Sequence, residues 1–412
     1  MNNYTTWTLP NGLGVLFVHN PNIKSAVLNL LYKVGSKHEI KERTGFAHLF
    51  EHLMFEGSVD IPHFDAPLQK VGGSNNAFTS TDITNYYIHV PAQGLNTAMW
   101  LESNRMKELD IDQKKLDIQK GVVIEEYHQN YTNQPYGDLF HELRSLCYKD
   151  HGYSWPTIGS TPEHVREASL SEVQAFYTRY YCPENAFLVI VAPQTESEIK
   201  AMINHWFGDI SRTFLPHADR PLDNKEVLVK EKTVHKPIQV PVCVFAVHVP
   251  ALFHPHFVYF ELFAEIFGNG KTSRLHKALV ETGLCTDAFA GLTSEMDEGL
   301  MYVPLFHGEL NDPEHIRKAF LAQVESVLGA NEPSEEEWLK AKNQWLLDWE
   351  MHKISPLKQA ELLAKFGAHN ALDLLHNLPE LVKEASWTKV KEVLLTTLDT
   401  KNWFQLNYLK ED

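Results

Sequence analysis

The sequence predicts a protein of interleaved strands and helices, built as two similar halves. Three observations carry that expectation. At 412 residues the chain exceeds what one ordinary hydrophobic core sustains, so two domains are expected. With 43% hydrophobic and 22% charged residues, and no low-complexity tract, it holds enough apolar side chains to fill two cores. Finally, the order of strand-like and helix-like segments in the first half recurs in the second, as an ancient duplication would leave it.

The first half opens with two strand-like segments, LGVLFVHN and SAVLNLLYKVG, separated by the turn PNIK. TGFAHLFEHLMFEGS, residues 44–58, follows as an amphipathic helix around Phe46, Leu49, Phe50, Leu53, Met54 and Phe55. GGSNNAFTSTDITNYYIHVPA alternates turn formers with β-branched and aromatic residues and reads as two strands joined by STD. Two helical stretches come next, LNTAMWLESNRMKEL and DQKKLDIQKGVVIEEYHQN, and then NAFLVIVAP, a run of strand length. Thr195 and Glu198 form a capping box for the helix after it.

Residues 1–212 are therefore expected to be one domain, 213–232 a linker rich in proline and charge, and 233–412 a second domain. In that second domain PIQVPVCVFAVHVPA and GLMYVPLFHGEL read as strands around the apolar helix FVYFELFAEIFGNG. Ser334 and Glu337 cap a further helix, and NWFQLNYL closes the chain as a strand. FELFAEIF stands where the first half has FAHLFEHLMF. One half carries ionisable groups in its apolar helix; the other reads as scaffold.

A formal net charge of −16 argues against nucleic acid, because phosphate binding needs a basic surface. Cys147, Cys182, Cys243 and Cys285 form no CxxC pair and are expected as reduced, buried thiols. No apolar run reaches the roughly 18 residues a membrane span needs. The opening MNNYTTWTLPNG lacks the basic and apolar regions of a signal peptide, so the expected compartment is the cytoplasm, or the periplasm if a leader has been trimmed.

The chemistry is concentrated at His48, Glu51 and His52. Unpaired polar groups in an apolar helix cost several kcal/mol, roughly 2–7 each, so a partner is required. Residues at i and i+4 share a helix face, so both imidazoles can address one point. His-x-x-Glu-His is the inverse of the zinc motif His-Glu-x-x-His, with the carboxylate beside the ligand face. There Glu51 can take a proton from an attacking water rather than bind the metal. A catalytic zinc commonly takes three protein ligands and leaves one position open. Glu125 and Glu126 in GVVIEEYHQN both qualify as the third, and chemistry alone does not choose between them. GNGKT looks like a phosphate-binding loop, but Glu265 stands where that loop needs glycine.

LPNGLGVLFVHN, YKVGSKHE, TGFAHLFEHLMFEGS, GGSNNAFTSTDITNYY and GVVIEEY, in that order, resemble the pitrilysin/insulinase-type zinc peptidases. The resemblance is dense in the first half and weaker in the second, through GNGKTSRLHKAL and the final helices. It implies an α+β fold of two homologous domains. Each would be an antiparallel sheet with helices mainly on one face, and the two would form a clam-shell chamber. It implies one zinc ion per chain on His48, His52 and Glu126, Glu51 as general base, and a substrate-binding edge strand around Asn76, Ala77 and Phe78. The expected activity is zinc-dependent endopeptidase cleavage of peptides or unfolded segments bound as an extended strand.

Two departures stand out. Gln119 occupies a place that is often acidic in the family. Active relatives often carry an arginine and a tyrosine after the SRL helix, where this chain has Val280 and Thr286. The expected state is therefore a dimer, with a second family member supplying the missing pair. The rival expectation is a non-catalytic assembly subunit. The complete set of Glu51 and three ligands weighs against it, since a scaffold need not keep them.

Overall fold

The computed structural model describes residues 4–211, 230–309 and 311–411. It contains two six-stranded sheets. The first is built from β1 (Tyr4–Thr8), β2 (Gly14–His19), β3 (Ser25–Tyr32), β4 (Ser74–Thr79), β5 (Thr84–Pro91) and β6 (Ala186–Ala192), in the order β1-β2-β6-β3-β5-β4. Every residue of β3 from Ala26 to Tyr32 is buried, which requires cover on both faces; the one polar residue among them, Asn29, exchanges amide hydrogen bonds with Asn85 of β5. The helices Leu95–Lys107 and Pro356–Gly367 pack on it. Gly367 permits the second contact, since a Cβ there would lie 2.4 Å from the Phe187 ring. β4, by contrast, is an edge strand whose exposure alternates residue by residue.

The second sheet comprises β7 (Glu231–Lys236), β8 (Val242–Val249), β9 (Cys285–Ala288), β10 (Gly291–Leu292), β11 (Gly299–His307) and β12 (Phe404–Lys410). Its order is β10-β11-β8-β12-β7, with β9 also paired to β11. The apolar helix Phe257–Gly268 is buried along nearly its whole length. Phe245 of β8 stacks on Phe320 at 4.2 Å, and Trp403 meets Phe320 edge-on at 4.8 Å.

The α+β architecture with two sheets is as expected. The sheets are mixed rather than wholly antiparallel, because β2 runs parallel to β6 and β7 parallel to β12. Each parallel partner arrives from a distant part of the sequence, as parallel pairing requires. The expected linker, 213–232, lies outside the described residues except for its last three positions, where β7 begins at Glu231.

The chain divides into two compact units that interleave along the sequence. One takes Met1–Asn130, Trp155–Pro221 and Glu350–His376; the other takes Tyr131–Ser154, Leu222–Trp349 and Asn377–Asp412, in each case among the described residues. In the second unit Arg144 pairs with Glu295 at 2.6 Å, and the Tyr148 hydroxyl donates to the Glu298 carbonyl at 2.9 Å. Segment 131–154 is thereby fixed to that unit. The four cysteines are free and buried. Among the described residues no helix is long and apolar enough to cross a membrane.

Candidate metal centre

The helix Phe46–Leu53 buries Phe46, Ala47, Leu49, Phe50 and Leu53, leaving His48, Glu51 and His52 partly accessible. Phe50 anchors it by stacking on Tyr181 at 5.0 Å and Tyr177 at 6.0 Å. Its N-cap is Gly45, at φ +91°, with Ile158 O 2.6 Å from where a Cβ would stand. Glycine cannot cap with a side chain, and the orphan N–H groups of the first turn need acceptors. Glu39 supplies them. Its buried carboxylate accepts from Gly45 N at 2.8 Å and Ala47 N at 2.7 Å. Burial pushes the Glu39 carboxyl up to about 8, against the opposing pull of these backbone donors.

The second helix, Gln113–Tyr127, is capped by Asp112, whose side chain accepts from Lys115 N at 2.8 Å. It carries Glu126 toward the histidines. Glu126 Oε2 lies 3.5 Å from His52 Nε2 and 3.8 Å from His48 Nε2. One ligand atom from each of the three residues falls within 4.8 Å of the others, the only such group of three or more among the described residues. Zinc bonds of about 2.0–2.2 Å in a tetrahedron separate ligand atoms by roughly 3.3–3.6 Å; the His52–Glu126 separation falls in that range and the His48–Glu126 separation just above it, so the donor set suits that ion. Burial, and then the neighbouring His52, lowers His48 to about 4. Its ring is therefore neutral at pH 7, the form that ligates metals.

Glu51 sits beside this group. Burial raises its carboxyl, and Glu126 adds to the rise; the Thr79 hydroxyl and backbone, together with His52, pull it down. Thr79 Oγ1 donates to Glu51 Oε2 at 2.6 Å. Thr79 is the last residue of β4, and the β4–β5 hairpin closes with Ser80 N donating to Ile83 O at 2.8 Å. Antiparallel pairs alternate between bonded and non-bonded positions. The backbone groups of Asn75, Ala77 and Thr79 consequently face away from β5, along the free edge.

The three metal candidates thus come together, and Glu126 rather than the exposed Glu125 joins the histidines. Of the three edge-strand candidates, Ala77 turns its backbone away from β5, and its N–H donates to Asn76 Oδ1 at 2.9 Å. Asn76 and Phe78 pair with β5 and put their side chains on the face opposite Thr79. Gln119 donates its side-chain amide to Glu56, just beyond the histidine helix. Val280 packs against the core of the second unit, and Thr286 donates its hydroxyl to Phe306 O at 3.3 Å. Sequence reasoning missed Glu39 and Thr79. Both lie inside quoted segments, YKVGSKHE and NNAFTS, and the two-residue period of β4 was the available signal for Thr79.

Residues 14–161 match the family described as Insulinase (Peptidase family M16), and residues 167–345 match the Peptidase M16 inactive domain. The chain is 27% identical over 328 residues to the zinc protease PqqE of Helicobacter pylori, covering 78% of this chain and 73% of that one. It is 25% identical over 382 residues to the zinc protease YmxG of Bacillus subtilis, covering 90% of each. Among solved structures, a protease from Helicobacter pylori superposes with a TM-score of 0.92 at 24% identity, over 99% of both chains. The periplasmic protease PqqL of Escherichia coli gives 0.81 at 17% identity, over all of this chain and 48% of that one. With a match to the insulinase family over both helices that bear the metal-binding group, and to the family's inactive domain beyond it, the chain belongs to peptidase family M16.

Proposed function

We propose that this chain is a zinc-dependent endopeptidase in which His48, His52 and Glu126 hold the metal and Glu51 is the general base. The observation that carries the reading is the convergence of two imidazoles and one carboxylate, with a second carboxylate beside them and a strand edge ending at that carboxylate. Zinc bound there supplies a lowered pKa for water, toward about 7, and polarises a carbonyl oxygen. An extended peptide adds to the edge of β4 through the outward backbone groups of Asn75 and Ala77. Glu51 takes the proton from the attacking water and delivers it to the leaving amine as the peptide C–N bond breaks.

Peptides and unfolded segments that can adopt an extended strand are the substrate class. A second family member supplies the arginine and tyrosine for which Val280 and Thr286 stand here. Digestion of a peptide library by the purified chain, with zinc measured in parallel, tests the reading. Glu51→Gln is expected to keep zinc, since an amide preserves shape and hydrogen bonding, while losing about 10²–10⁴ in rate. Full turnover by zinc-loaded E51Q would remove Glu51 from the role of base.

A further inference from the structure

We infer that Thr79 is a positioning residue for Glu51, tying the orientation of the base to the strand edge on which substrate docks. The inference rests on the reading of Glu51 just given. A glutamate side chain has three rotatable bonds, and its carboxylate reaches a reacting water only from a narrow range of orientations. Among the described residues, Thr79 is the hydrogen-bond partner of this carboxylate. Its hydroxyl donates to Oε2 at 2.6 Å. One oxygen of the base is thereby held.

Threonine suits the task because its β-branch stiffens χ1. The hydroxyl direction is therefore set by the strand rather than by local rotamer freedom. Thr79 closes β4, and its outward N–H is the last along the free edge. With Glu51 engaged at that position, an added peptide strand runs along the outward backbone groups of Asn75 and Ala77, displacing Asn76 Oδ1 from the Ala77 N–H, and meets the carboxylate next. The same residue thus ends the docking edge and holds the base.

The test compares Thr79→Val, Thr79→Ser and Glu51→Gln in the full zinc-loaded chain, using one internally quenched peptide chosen from the library digestion. Valine keeps the β-branched shape and strand preference and removes only the hydroxyl. T79V is expected to retain zinc and KM within about twofold, while kcat falls about ten- to a hundredfold, the scale of a misplaced catalytic group. T79S is expected to restore kcat to within a few-fold of wild type. Wild-type kcat in T79V, with E51Q inactive, would overturn the inference and leave the base assignment standing. Loss of zinc from T79V, or a raised KM at unchanged kcat, would also overturn it. Full activity in E51Q would instead remove the reading beneath it.

Discussion

At Glu125 and Glu126 the chain repeats one side chain, and the helix turns the second toward the imidazoles while the first stays exposed. Successive residues on a helix point about 100° apart, so identical chemistry acquires different neighbours. Glu126→Ala is expected to reduce bound zinc from one ion per chain to a small fraction. Glu125→Ala should leave the stoichiometry intact, with metal content by mass spectrometry as the check. His48, Glu51 and His52 were legible in the sequence because their spacing alone places them on one helix face. The choice between the glutamates was not, since it depends on where another helix lies. Thr79 was hidden for a similar reason: its contact with Glu51 joins a strand to a helix, and neither segment contains the other's position.

Among the secondary elements, the histidine helix takes its N-terminal acceptor not from its N-cap, Gly45, but from Glu39 further back in the chain. The Glu39 carboxyl is raised from an ordinary 4.5 to about 8 by burial. Between those values the folded state binds a proton that the unfolded chain has released. Its contribution to stability is therefore complete below about pH 4.5 and is lost as pH rises through about 8. Glu39→Gln has no such proton to lose. The stability difference between wild type and E39Q is expected to shift in favour of E39Q from pH 5 to 8, by up to about 1.4 kcal/mol per pH unit. Urea unfolding across that range measures it, and a pH-independent difference would contradict it. Elements with their own local signal were legible: the capping boxes at Thr195 and Ser334 form as read. The parallel pairs were not, because a strand carries no mark of a partner that arrives much later in the chain.

For the whole molecule, the proposal that a second family member supplies an arginine and a tyrosine bears on how active one chain is by itself. Within residues 268–292 the sole arginine is Arg274 and there is no tyrosine. Arg274 is engaged by Glu337 at 2.7 Å. Preorganised donors at a reacting carbonyl are commonly worth about 3–4 kcal/mol. The pure chain is accordingly expected to turn over peptide slowly and to gain on addition of a second family member, with kcat/KM for one peptide as the measure. Full activity alone, unchanged by any partner, would contradict this. The presence of two sheets was legible from the recurring order of elements. The interleaving of the two units was not, because the contact of Pro356–Gly367 with β3 and β6 leaves no local trace in any of them. That contact also has a consequence for synthesis. A ribosome releases β6 by residue 192 and the covering helix only from residue 356. At about 5–20 residues per second, the nascent chain carries an uncovered apolar sheet face for roughly ten to thirty seconds, the interval in which chaperone shielding matters most.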